Sequence, residues 1–226
     1  MTDAEAAAAR EDALRRTLVV GGALLIASAV LGFAGPSMLS MTMVLNTVVF
    51  WGGTLAFSAA LVVYAVGLGR AGSIVARRPL GVGAMGLLAA RPLVERALTL
   101  LYPVSEESSE FYLTWGWIAV AVRLAAAIVI VVQIARAGVI RGRLRWAPLW
   151  ALVAVVAPQV VAQLLVVASG TDLGRTEDDG IWLFFGLGQL AAFAAPVVLG
   201  ILSIVHAQRR AAHTSAEPVQ VYPPEA

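Results

Sequence analysis

Five apolar runs separated by short polar stretches dominate the chain, at 17–35, 45–68, 112–135, 146–169 and 181–205. Each is long enough to cross a bilayer as a helix, which takes about 20 residues. The runs are continuously apolar over far more than a strand's length, so the expected fold class is all-α, an integral membrane helix bundle. A sixth segment, 80–101, reads LGVGAMGLLAARPLVERALTLL; it is apolar except for Arg91, Glu95 and Arg96, and Pro92 interrupts it. Three charges and a proline argue against a span.

The arginines between the runs argue the other way. If 80–101 crosses, the arginines outside the spans divide twelve on one side to one, Arg175, on the other. If it lies on the surface, every later loop flips and the division becomes nine to six, with Arg136, Arg141, Arg143 and Arg145 outside. Arginines in short loops favour the cytoplasmic side. The expected architecture is therefore a six-transmembrane-helix bundle in the plasma (inner) membrane with both termini cytoplasmic. Its spans fall at about 17–35, 45–68, 80–101, 112–135, 146–169 and 181–205. Five spans with 80–101 as an amphipathic surface helix is the alternative.

Around this bundle, residues 1–16 read as a cytoplasmic helical lead-in, and 207–226, with Pro218, Pro223 and Pro224, as a disordered cytoplasmic tail. The first run could serve as a signal-peptide core with Ala27-Ser28-Ala29 as cleavage site. The mixed charge ahead of it and the apolar sequence beyond Ala29 favour an uncleaved span. Gly35-Pro36 is expected to end that span. Phe50 and Trp51, Trp146 and Trp150, and Trp182, Phe184 and Phe185 sit near run ends, where interfacial aromatics belong. The two halves have similar spacing, and Gly81-Val-Gly83 before Pro92 echoes Gly186-Leu-Gly188 before Pro196. Paired Gly/Pro-interrupted helices can mark a transporter site, but a chain this rich in Ala, Gly, Leu and Val generates such matches by chance.

Composition narrows the chemistry. Charged residues make up 13% of the chain, about half the usual share in soluble domains. There is no cysteine and no lysine, so disulfides, thiol nucleophiles, cysteine-held metals and lysine imines are excluded. An all-arginine positive charge suits a bacterial plasma membrane protein facing anionic inner-leaflet lipids. The basic residues are split among short segments, so no nucleic acid partner is expected. Gly81-Val-Gly83-Ala-Met-Gly86 matches a dinucleotide-binding string but lacks the preceding strand. His206 and His213 lie at or past the end of the last run, unsuited to haem held within a bundle. The acids near Arg175 read as a solvated loop. No cofactor, no metal and no enzymatic activity are expected.

What remains is charge inside the bilayer. Arg91, Glu95, Arg96 and Arg123 are the only charged side chains in the proposed spans, at a cost on the order of 2.5–3.5 kcal/mol each unless they face protein or water. Arg91 and Glu95 share a helix face at a spacing of four, and Arg123 falls at a comparable depth on the next span. Three arginines to one glutamate make a candidate polar pocket for a small solute, an anion or a lipid headgroup. In the competing structural reading, Glu95 pairs with Arg123 as interhelical glue, and the chain is an accessory subunit packed on a protein partner. Gln159, Gln163 and Gln189 form a candidate polar path or, more plainly, helix glue, as does Gln133.

Overall fold

The computed structural model describes residues 3–37, 43–69, 72–101, 109–138, 146–169 and 179–215. These form six helices and no strand: α1 (Asp3–Ser37), α2 (Met43–Val66), α3 (Pro79–Leu101), α4 (Ser109–Ala137), α5 (Ala147–Ser169) and α6 (Asp179–Ser215). Four are long and apolar enough to cross a membrane: α1 over Glu5–Phe33, α2 over Thr47–Val66, α4 over Thr114–Ala137 and α6 over Gly186–Arg209. α3 falls outside that set and carries Arg91, Glu95 and Arg96. α5 contributes an uninterrupted apolar stretch over Ala147–Pro158.

Two helices outrun their expected bounds. α1 begins at Asp3, so the lead-in is one piece with the first apolar run. It ends at Ser37, past Gly35-Pro36, because a proline in the last turn removes only one backbone donor. α6 continues to Ser215, well into the segment read as a disordered tail. Ala207 is buried there, and the alanines that follow favour helix. Pro92, Pro158 and Pro196 all lie within helices.

Each helix packs on the next in sequence, α6 returns to α1, and the α4–α5 contact is the thinnest. The two halves are therefore packed unequally. α1 has the most neighbours' surface around it, between α2 and α6, and small residues permit this. A Cβ on Gly53 of α2 would lie 3.2 Å from the Gly32 nitrogen of α1. Tyr64 of α2 lies over Gly21, and its hydroxyl donates to Ser203 Oγ of α6 at 3.1 Å.

Most of the buried core gathers at one end. Leu14 and Leu18 of α1, Tyr64 and Ala65 of α2, Met85 of α3, Ile130 and Ile134 of α4 and Ala207 of α6 meet there. The connection between α2 and α3 is packed into this cluster through Ile74 and Val75, and Val75 is fully buried. A loop can be buried only if its backbone polar groups find partners, and here they do. Gly67, at φ +78°, turns the chain and donates to Val63 O at 2.8 Å. Leu68 N–H donates to Thr17 Oγ1 at 2.8 Å, and Thr17 Oγ1 donates to Ala13 O at 2.9 Å. Ile74 N–H reaches Tyr64 O at 3.1 Å, and the Ser73 hydroxyl donates to Ala65 O at 2.5 Å. Arg77 donates from Nε to Val66 O at 3.3 Å and from Nη2 to Gly69 O at 3.2 Å. The last carbonyls of α2 are thus satisfied by the chain that follows them.

Candidate functional site

The middle of α3 holds two charges one turn apart. Arg91 Nε donates to Glu95 Oε1 at 2.7 Å, and both side chains are about a third exposed, 36% and 37%. The spacing of four on a helix makes this contact almost without backbone adjustment. Pro92 stands between them. One turn ahead of Leu93, the Ala89 carbonyl accepts a 2.7 Å hydrogen bond from Ser58 Oγ of α2. That bond ties this stretch of α3 to α2.

α4 supplies the other wall. Arg91, Glu95 and Leu98 of α3, with Trp115, Gly116, Ala119 and Val120 of α4, line a cavity of about 320 Å³. Arg123 lies one turn beyond Ala119 on the same helix face, within electrostatic range of both Arg91 and Glu95. Arg91, Glu95 and Arg123 together carry two positive charges and one negative. Trp115 adds a polar group that sequence reading placed only as a flanking aromatic. Its indole Nε1 is buried and has no hydrogen-bond partner, and an indole N–H can only donate.

The structure therefore brings Arg91, Glu95 and Arg123 to one place. The ion pair the structure shows joins Arg91 to Glu95 within α3, on the helix face their spacing predicts, and Arg123 lies within electrostatic range of both. The reason is local: a one-turn contact forms without needing a neighbouring helix. The Arg96 side chain lies outside the described residues. So do the side chains of Gln159 and Gln163 on α5. Gln189 of α6 is exposed. Gln133 of α4 is buried at 6% exposure, and its Oε1 has no hydrogen-bond partner. It packs beside Gly81, where an added Cβ would sit 3.3 Å from Gln133 Cβ and 2.9 Å from Val75 Cβ.

A second, larger hollow lies between α5 and α6. It measures about 830 Å³ and is lined almost wholly by apolar side chains, among them Trp150, Ala151, Pro158 and Ala194. No charged residue lines it.

No family model, no curated protein and no solved structure matches this chain. The functional reading rests on the chemistry of these sites.

Proposed function

We propose that this chain is a six-span plasma membrane protein, both termini cytoplasmic, that holds an anionic group between α3 and α4 for binding or passage. The observation that carries the reading is the α3–α4 cavity: one guanidinium and one carboxylate line a space open to a small ligand, and a second guanidinium, that of Arg123, lies within electrostatic range of both. The positive charge of Arg123 beside the Arg91–Glu95 pair makes the local field favourable for an anion. In this reading α3 crosses the membrane, because its charges then face protein instead of hydrocarbon. The twelve-to-one division of arginines supports the same topology.

The accessory-subunit reading is favoured by one observation, the direct Arg91–Glu95 pair, which neutralises half of the cluster without any ligand. Ligand-dependent stability separates the two. Anything that binds the folded state alone stabilises it, by about 2.7 kcal/mol at a hundredfold excess over Kd, and so raises the melting point. The purified chain in detergent should melt higher with added inorganic phosphate or phosphatidylglycerol. Arg91→Leu removes the guanidinium that lines the cavity, so the variant should stay folded and lose most of the shift. An identical shift in the parent and in Arg91→Leu, or no shift with either ligand, would reject the anion site.

A further inference from the structure

We propose that the α3–α4 cavity takes a small zwitterion, a ligand that carries an ammonium and an anionic oxygen group a short distance apart on an apolar body. The inference rests on the anion site proposed above and names the other half of its ligand. Two side chains of opposite charge line the cavity, Arg91 and Glu95. A bare anion that reached Arg91 would also meet the Glu95 carboxylate, one turn along the same helix, and be repelled by it. A zwitterion presents each side chain with its opposite.

The bond between the two side chains leaves both half used. Arg91 donates to Glu95 Oε1 through Nε. Among the described residues, the two Arg91 Nη nitrogens and Glu95 Oε2 take part in no hydrogen bond. A guanidinium has donors on all three nitrogens, and a carboxylate accepts through both oxygens, so most of that capacity is unspent. Both side chains are partly exposed, which keeps those atoms within a ligand's reach. The Nη nitrogens suit a carboxylate or phosphate, and Oε2 suits an ammonium. Trp115 lines the same cavity, and a tryptophan ring is the best aromatic partner for an organic cation. Leu98, Ala119 and Val120 make the rest of the wall apolar. The volume of about 320 Å³ lies at the low end of the range of about 300–1,000 Å³ typical of ligand pockets. That space holds an amino-acid-sized molecule or the headgroup of a zwitterionic lipid. A free α-amino acid with an apolar side chain and phosphoethanolamine share the chemistry.

The experiment melts the full chain in detergent with two matched sets of ligands. Leucine carries both charges, N-acetyl-leucine only the negative one and leucinamide only the positive one. Short-chain phosphatidylethanolamine and phosphatidylglycerol form the lipid pair. In at least one set the zwitterion should give the same shift at a concentration on the order of tenfold below its singly charged relatives, the worth of one hydrogen bond to a charged group. A preference for leucine alone identifies a free amino acid, and a preference for phosphatidylethanolamine alone a lipid headgroup. Glu95→Gln should erase the preference and keep the response to the negative ligand. Gly116 lines the cavity, and an added Cβ there meets nothing within 4 Å. Gly116→Leu should therefore melt as the parent does without ligand and lose the shift, which keeps the test decisive if Glu95→Gln does not fold. Equal response to the zwitterion and the negative ligand in both sets would overturn the zwitterion and leave the anion site standing. A response led by leucinamide, or none to any ligand including inorganic phosphate, would remove both. A leucine or phosphatidylethanolamine shift unchanged in Gly116→Leu would also overturn the proposal.

Discussion

Gly22 on α1 and Gly200 on α6 face each other backbone to backbone. A Cβ added to Gly22 would stand 2.7 Å from the Gly200 carbonyl oxygen, and one added to Gly200 would stand 2.6 Å from the Gly22 carbonyl oxygen. The contact is reciprocal, and the nearest atom on each side is a backbone carbonyl oxygen that cannot swing aside as the neighbouring Ile204 and Ile26 side chains could. Small residues allow such close approach of membrane helices, which gains dispersion contacts and interhelical polar contacts.

Gly22→Ala and Gly200→Ala should therefore each lower detergent stability by about 1–3 kcal/mol, the usual cost of overpacking. Gly83 and Gly86 on α3 have nothing within 4 Å of an added Cβ. Alanine there should be neutral or stabilising by up to about 1 kcal/mol through helix propensity. Thermal melts of the four variants test the contrast. Equal effects at all four sites would mean that the α1–α6 contact contributes little.

The buried connection between α2 and α3 gives a second expectation. Thr17→Val removes the acceptor for Leu68 N–H while preserving shape, and Ser73→Ala removes both the donor to Ala65 O and the acceptor for Arg77 N–H at 3.1 Å. Each leaves a buried polar group without its partner, a loss of about 1–3 kcal/mol. Both should make the segment around Arg77 and Arg78 more sensitive to limited proteolysis than in the parent. Unchanged cleavage together with unchanged melting would show that the connection is held by Ile74 and Val75 alone.

Sequence pattern reaches the helices and their order but misses what fastens them. Continuous apolar runs announce helices in lipid, and the spacing of Arg91 and Glu95 announces one shared face. The same apolarity conceals which face packs, because the lipid-facing and protein-facing sides of α1, α2 and α4 are equally greasy. The burial of Val75 was invisible for another reason: its neighbours Gly81 and Gln133 belong to different helices, and the run of arginines beside it reads as a wet loop. Thr17 shows no signal as a ligand for a backbone amide 51 residues away. Trp115 reads as an interfacial aromatic, and only the approach of α3 makes it part of a cavity wall with Arg91 and Glu95.

Within the charge cluster, sign sets the order of effects. Glu95→Gln removes the carboxylate paired with Arg91 and leaves Arg91 and Arg123 as like charges within electrostatic range. Arg123→Gln removes a like-charge neighbour of Arg91 and leaves the Arg91–Glu95 pair in place. Glu95→Gln should therefore be the more destabilising change, by about 0.6–1.7 kcal/mol, the range measured for polar contacts between membrane helices. The double variant should recover part of that loss in a thermodynamic cycle. Strictly additive losses would mean that the two residues do not interact.

Topology can be read from reporter fusions. Fusions after Arg78 and after Gly142 should report cytoplasm, and one after Ser108 the outside. A cytoplasmic report at Ser108 would place α3 on the membrane surface and remove the six-span arrangement.

The return of α6 to α1 has a consequence for how the protein is made. α1 leaves the ribosome before the other five helices described, and Gly200, the neighbour that fits Gly22, follows some 178 residues later (200 − 22). Contacts between such distant segments form late, after the loop-closure entropy has been met. Throughout translation the α6 face of α1, with Gly22 exposed, is left to lipid or to the insertion machinery. A chain truncated before Gly186 would keep α1 through α5 and never gain this partner. Such a truncated chain is the species in which quality-control proteases should find an open first helix.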